Sequence, residues 1–255
     1  MLNIIIPTGN STALVISSNK IKDKKKINDY ILEKYSDIEQ VGFINKDKNN
    51  PELVMAGGEF CVNATRSAIN YYLNNNYGTV KINIPNLNSV LEGGIDKNGE
   101  TWVNLDIFKR YREKYSKIAK SKAIIIEFKG IVHTILRDEI IRDKNDNEIK
   151  EIAFSILEEL DLTKYKAAGV IFKNYKNRIT KITPVVYVKA VNTLYIETAC
   201  GSGSAAIAIY NYFKYHVSNC KIVQPSKMYL NTKVITKDNK IQTIRISGIV
   251  HELKK

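Results

Sequence analysis

The chain has 255 residues, 44% of them hydrophobic, and carries a net charge of +13, with 39 lysines and arginines against 26 aspartates and glutamates. That length gives one large domain or two ordinary ones, each with enough apolar residues for a core. No apolar run approaches the ~20 residues that cross a bilayer, no signal-peptide pattern opens the chain and three cysteines make no disulfide framework, so a cytoplasmic protein without membrane contact is expected.

In chain order, Ile4-Ile5-Ile6-Pro7 and Ala13-Leu14-Val15-Ile16 are strand-like runs joined through the turn signal Gly9-Asn10. A charged helical segment over 24–34 follows, then a glycine-centred strand, Gln40-Val41-Gly42-Phe43-Ile44. Glu59-Phe60-Cys61-Val62-Asn63-Ala64-Thr65-Arg66 then leads into Ser67-Ala68-Ile69-Asn70-Tyr71-Tyr72, a cysteine at the start of a helix. An extended stretch over 79–84 opens a further hairpin.

The same order returns in the second half. Ile124-Ile125-Ile126 and Val132-His133-Thr134-Ile135-Leu136 precede a helical stripe over 149–160, and Ala168-Gly169-Val170-Ile171-Phe172 is again centred on glycine. Glu197-Thr198-Ala199-Cys200-Gly201-Ser202-Gly203-Ser204 runs into the apolar helix Ala205-Ala206-Ile207-Ala208-Ile209, and a strand follows at 220–223. Repetition of element order with drifting spacing implies two homologous α/β (α+β) lobes, 1–117 with Cys61 and 118–247 with Cys200. The basic segment Lys109-Arg110-Tyr111-Arg112-Glu113-Lys114-Tyr115-Ser116-Lys117 reads as the linker or a surface helix, and 248–255 as a tail available to return to the first lobe.

The lysines are spread through loops without a nucleic-acid-binding motif, so the charge reads as a solvated surface that helps draw in anionic metabolites. Histidines at 133, 216 and 251 have no zinc-ligand spacing, and no metal is expected. A helix N-terminus presents free N–H donors and partial positive charge, which stabilise both a thiolate and a docked carboxylate. Cys200, and Cys61 in its matching frame, are therefore candidate low-pKa thiolates, whereas Cys220 lacks that context and reads as structural.

These residues carry a family resemblance. Cys61-Val62-Asn63-Ala64-Thr65-Arg66-Ser67 resembles the Cys-Gly-Asn-Gly-x-Arg-Cys segment of diaminopimelate epimerases, Cys200-Gly201-Ser202-Gly203 is similar to their Cys-Gly-Thr-Gly, and Gly9-Asn10 to their N-terminal Gly-Asn-Asp. The chain is more similar still to the cofactor-independent histidine racemases of that superfamily, through Glu39-Gln40-Val41-Gly42-Phe43-Ile44, Leu53-Val54-Met55, Glu59-Phe60-Cys61 and Cys200-Gly201-Ser202-Gly203. The resemblance implies two pseudo-symmetric lobes, each a central helix wrapped by mainly antiparallel strands, closing over an amino acid. It implies no cofactor: Cys61 and Cys200 would work from opposite faces of the α-carbon, one as base and the other as acid.

The carboxylate would be held by backbone N–H groups at Val62, Asn63, Gly201 and Ser202, and the ammonium by Asn10 and Gln40. Val62 stands where the family has glycine, so a positive φ there would be strained. His133 and Glu197 fall where the family carries a histidine and a glutamate near the thiols; each reads either as catalytic support or as a structural contact. Ile131, Pro184 and Val191-Asn192-Thr193-Leu194-Tyr195-Ile196 lack the polar groups that recognise the distal end of diaminopimelate, which points to a smaller, flatter side chain against walls such as Met55, Ala56 and Tyr195.

Histidine is the favoured substrate, with D-histidine serving a metallophore or related product. Diaminopimelate epimerase, a racemase of another amino acid and a non-catalytic amino-acid-binding protein stay open; a phenazine-type isomerase, which lacks the cysteine pair, ranks last. No nucleic-acid partner is expected, and a homodimer is left open.

Overall fold

The computed structural model describes residues 2–17, 21–176 and 179–253. The first half runs β1 (Leu2–Pro7), β2 (Thr12–Ser17), α1 (Lys24–Lys34), β3 (Gln40–Asn45), β4 (Leu53–Met55) and α2 (Val62–Tyr72). It continues with β5 (Gly78–Ile84), β6 (Ser89–Ile95), β7 (Thr101–Leu105) and β8 (Phe108–Ser116). The second half runs β9 (Ser121–Phe128), β10 (Val132–Arg137), α3 (Asp146–Glu159), β11 (Ala167–Lys176), β12 (Ile179–Val188), β13 (Thr193–Ile196) and α4 (Gly201–Tyr215). It closes with β14 (Asn219–Val223), β15 (Tyr229–Lys237), β16 (Lys240–Gly248) and β17 (Val250–Leu253).

The halves repeat one pairing scheme. β1 and β2 are antiparallel, β2 and β3 parallel, and β3 and β4 antiparallel; β9 to β12 repeat these relations. The hairpins β5-β6-β7 and β14-β15-β16 match in the same way.

α2 packs against β1 to β7, and α4 against β9, β10, β14, β15 and β16, so each is a core helix. Their sequences suit that place: Ala64, Ala68 and Ile69 in α2, and Ala205 to Ile209 in α4, are fully buried. α1 lies outside the first sheet through Ile31 against Val41 and Phe43, and α3 outside the second through Ala153, Ile156 and Leu157.

The segment expected to be a linker or surface helix is strand β8. It pairs antiparallel with β9, as β17 pairs with β1. Each half thus sends the strand after its third hairpin strand onto the edge of the other half's sheet, and the boundary drawn at 117 cuts through the β8–β9 hairpin. β8 escapes sequence reading because it is an edge strand on which Lys109, Arg110, Glu113 and Lys114 face solvent.

The two halves also join where β7 pairs with β16, making a twelve-stranded sheet beside the five-stranded order β17-β1-β2-β3-β4. The tail's last residues, Lys254 and Lys255, lie outside the described residues. No helix among those described is long and apolar enough to cross a membrane.

Candidate active site

Both cysteines are helix N-caps. Cys61 caps α2, with Sγ accepting from the Ala64 N–H at 3.4 Å, and Cys200 caps α4, with Sγ accepting from the Gly203 N–H at 3.3 Å. A thiolate in either place would be met by an N–H donor and the positive end of a helix. The two helix starts touch, since the Asn63 side-chain amide donates to the Ala199 carbonyl oxygen at 2.7 Å. One cleft, of about 740 Å³ including its open mouth, is lined by Cys61, Val62, Asn63, Cys200, Gly201 and Ser202 together with Gln40.

Val62 is the first residue of α2 and does not have a positive φ, so the strain anticipated there does not arise. The asymmetry with Gly201 is steric instead: a Cβ on Gly201 would lie 2.6 Å from Val62 Cγ1. Valine on one helix fills the space that glycine leaves on the other.

Asn10 and Gln40 form a relay. The Gln40 side-chain amide donates to Thr12 Oγ1 at 2.7 Å and to Asn10 Oδ1, which leaves its carbonyl oxygen to accept from the Cys61 thiol at 2.9 Å. Asn10 in turn donates to Glu39 at 2.8 Å. Asn10 is buried behind Gln40 and outside the cleft lining, its amide engaged by Gln40 and Glu39.

His133 is fully buried on β10, with Nε2 2.8 Å from Ser202 Oγ, which is itself 3.6 Å from Cys200 Sγ. It stands one hydroxyl behind the thiol and outside the cleft lining. Gly169 on the neighbouring strand makes room for it, because a Cβ there would lie 2.4 Å from Nδ1. Burial pushes the imidazole down to about 3, so His133 is neutral.

The thiols also depart from expectation. Burial first, and then the Glu197 carboxylate, push both Cys61 and Cys200 well above the usual thiol range, so each is held as a protonated thiol despite its helix cap. Glu197 lines the cleft beside Cys200 and is itself raised to about 8 by burial, with Glu39 and Glu59 nearby.

Sequence reasoning missed Glu39 and Glu59 as cleft residues. Glu39 lines the cleft and bridges the halves, accepting from the Thr198 N–H at 3.1 Å, from the Thr198 hydroxyl and from Asn10. Its position beside Gln40, and that of Glu59 two residues before Cys61, were the available signals. Gln224, also missed, accepts from the Cys200 N–H at 2.9 Å. Ala56 and Tyr195 line the cleft as expected, whereas Met55 is packed into the core beneath Gly42. Cys220 lies outside the cleft, half-buried, accepting from Asn211 at 3.3 Å.

The fold matches that of a solved structure described as a predicted epimerase from Pseudomonas aeruginosa, at a TM-score of 0.70 and 11% identity, covering 99% of this chain and 96% of that one. The architecture is the diaminopimelate epimerase-like fold, and the chain is an isomerase, an amino-acid racemase. The family model described as the histidine racemase CntK N-terminal domain matches residues 4–253, and the chain belongs to that family. Among its relatives are the histidine racemase of Fusobacterium nucleatum subsp. nucleatum (strain ATCC 23726 / VPI 4351), 29% identical over 87% of this chain and 85% of that protein, and that of Staphylococcus aureus (strain Mu50 / ATCC 700699), 26% identical over 82% of this chain and 78% of that one.

Proposed function

We propose that the chain interconverts L- and D-histidine without a cofactor, with Cys61 and Cys200 as the two acid–base groups. The observation that carries this reading is the pair of cysteine-capped helix starts meeting at one cleft. The family membership and the names of its relatives support histidine as substrate.

The first-turn N–H groups of Val62, Asn63, Gly201 and Ser202 have no partner within their helices, and they receive the substrate carboxylate. They also stabilise the charge that builds on it as the α-proton leaves, at sites where one donor is worth about 3 kcal/mol. The ammonium lies among Gln40, Glu39 and Glu197.

Because both thiols are held above their usual range, the reactive thiolate forms as the substrate binds. The positive charge of the substrate ammonium favours the ionised form of Glu197, and this carboxylate takes the Cys200 proton, giving a carboxylic acid and a thiolate. That thiolate removes the α-proton from one face, and the Cys61 thiol delivers its own proton to the other. The two sulfurs exchange roles for the opposite enantiomer. Neutral His133 orients the Ser202 hydroxyl that faces the Cys200 sulfur.

Proton NMR of the reduced protein in D2O, with L-histidine beside LL-diaminopimelate and a panel of other amino acids, tests this reading. Loss of the α-proton and of optical rotation is expected with histidine. Exchange on a different amino acid would overturn the substrate, and exchange on none would return the chain to the amino-acid-binding reading.

A further inference from the structure

Three half-buried glutamates line the cleft, and their carboxyl groups are not equivalent. Glu39 has its oxygens engaged by Thr198 and Asn10, and Glu197 is hydrogen-bonded to the Cys200 thiol. Glu59 is different. Main-chain groups of Glu59 and Gly57 interact with its carboxyl, yet Oε2 is buried and has no hydrogen-bond partner.

Leaving a buried carboxyl oxygen unsatisfied is costly, so such a group marks a place where a ligand completes the bonding. The surroundings fix what kind. A Cβ on Gly57 would lie 2.6 Å from Glu59 Oε2 and 2.7 Å from Val188 Cγ1, so the bare backbone of Gly57 has the carboxyl and the apolar side chains of Val188 and Val191 as its neighbours in the cleft wall. A flat ring bearing a polar N–H fits a wall that offers one acceptor beside apolar side chains.

We propose that Glu59 is the specificity-determining residue of the cleft, its free oxygen taking a hydrogen bond from a ring nitrogen of bound histidine. The inference rests on histidine being the substrate. Proton affinity agrees with the geometry: burial raises Glu59 to about 7, near the ~6.5 of free imidazole.

A rival role for Glu59 is to pair with the α-ammonium. Every amino acid needs an ammonium partner; only one with a ring nitrogen needs a ring partner. The test therefore compares histidine with β-(2-thienyl)alanine, whose five-membered ring has no nitrogen, by α-proton exchange in D2O. The quantity read is the ratio of the two kcat/KM values for the wild type, Glu59→Leu and Glu59→Gln.

The ratio is expected to fall about 100-fold in Glu59→Leu, as for loss of a hydrogen bond to a charged group. In the isosteric Glu59→Gln, which serves if the leucine variant does not fold, it falls about 10-fold. A ratio that stays unchanged, whether both rates drop together or neither moves, overturns the proposal. A wild type that exchanges another amino acid but not histidine overturns the substrate reading instead, before any variant is compared.

Discussion

The Cβ that Gly201 lacks would lie 2.6 Å from Cγ1 and 2.7 Å from Cβ of Val62, so the two cysteine-bearing helices meet through one side chain and one bare backbone. Gly201→Ala therefore forces the helix starts apart, at a cost of about 1–3 kcal/mol in urea unfolding together with lost turnover. Adding Val62→Ala to that variant restores most of both, because the second change removes the atoms the first one meets.

The Ser202 hydroxyl stands between neutral His133 and the Cys200 sulfur. Removing it by Ser202→Ala takes away a donor that stabilises the thiolate form, a loss of about 1.5–3 kcal/mol. Steady-state kinetics should show kcat lower by about 10- to 100-fold with KM little changed.

Stability should depend on pH through Glu197 and Glu59, raised by burial to about 8 and about 7 from the usual 4.5. The folded protein keeps these protons over a range in which the unfolded chain has released them. Their contribution is thus fully present below pH 4.5 and declines as pH rises towards 8. Urea unfolding from about pH 5 to about pH 8 should show this fall, and Glu197→Gln should flatten it.

Arg66 is fully buried and donates to the Thr101 carbonyl at 3.0 Å, to Thr8 Oγ1 at 3.1 Å and to the Gly248 carbonyl at 2.5 Å. It fastens α2 to the chain just before β17 crosses back to the first sheet. Arg66→Leu strands these acceptors and should lower unfolding stability by about 3 kcal/mol or more, with the midpoint shift measured by circular dichroism.

Much of this was legible in the sequence where local pattern and tertiary role coincide. A cysteine followed by small residues and an Ala/Ile run reads as a capped core helix, and Cys61 and Cys200 both cap one. β8 was not legible: Lys109, Arg110, Glu113 and Lys114 are exposed on an edge strand, and a register shift between Phe108 and Arg110 breaks its alternation. The acids hid for a related reason. A glutamate at a strand start or before a helix reads as solvated, and burial of Glu39 depends on Thr198, which is distant in sequence and close only in the fold. The thiol pKa was misread because the helix cap is local, whereas burial and the Glu197 charge appear only once the halves meet.

The central claim is that two thiols act on opposite faces of one α-carbon. Its most direct test is the isotopic content of each enantiomer at low conversion, when L-histidine is incubated with the reduced protein in D2O and the products are separated on a chiral column and weighed by mass spectrometry. Two groups acting from opposite faces predict D-histidine carrying deuterium at the α-carbon, while unreacted L-histidine keeps its protium. Protium carried into D-histidine, or deuterium entering L-histidine ahead of racemisation, would contradict the account.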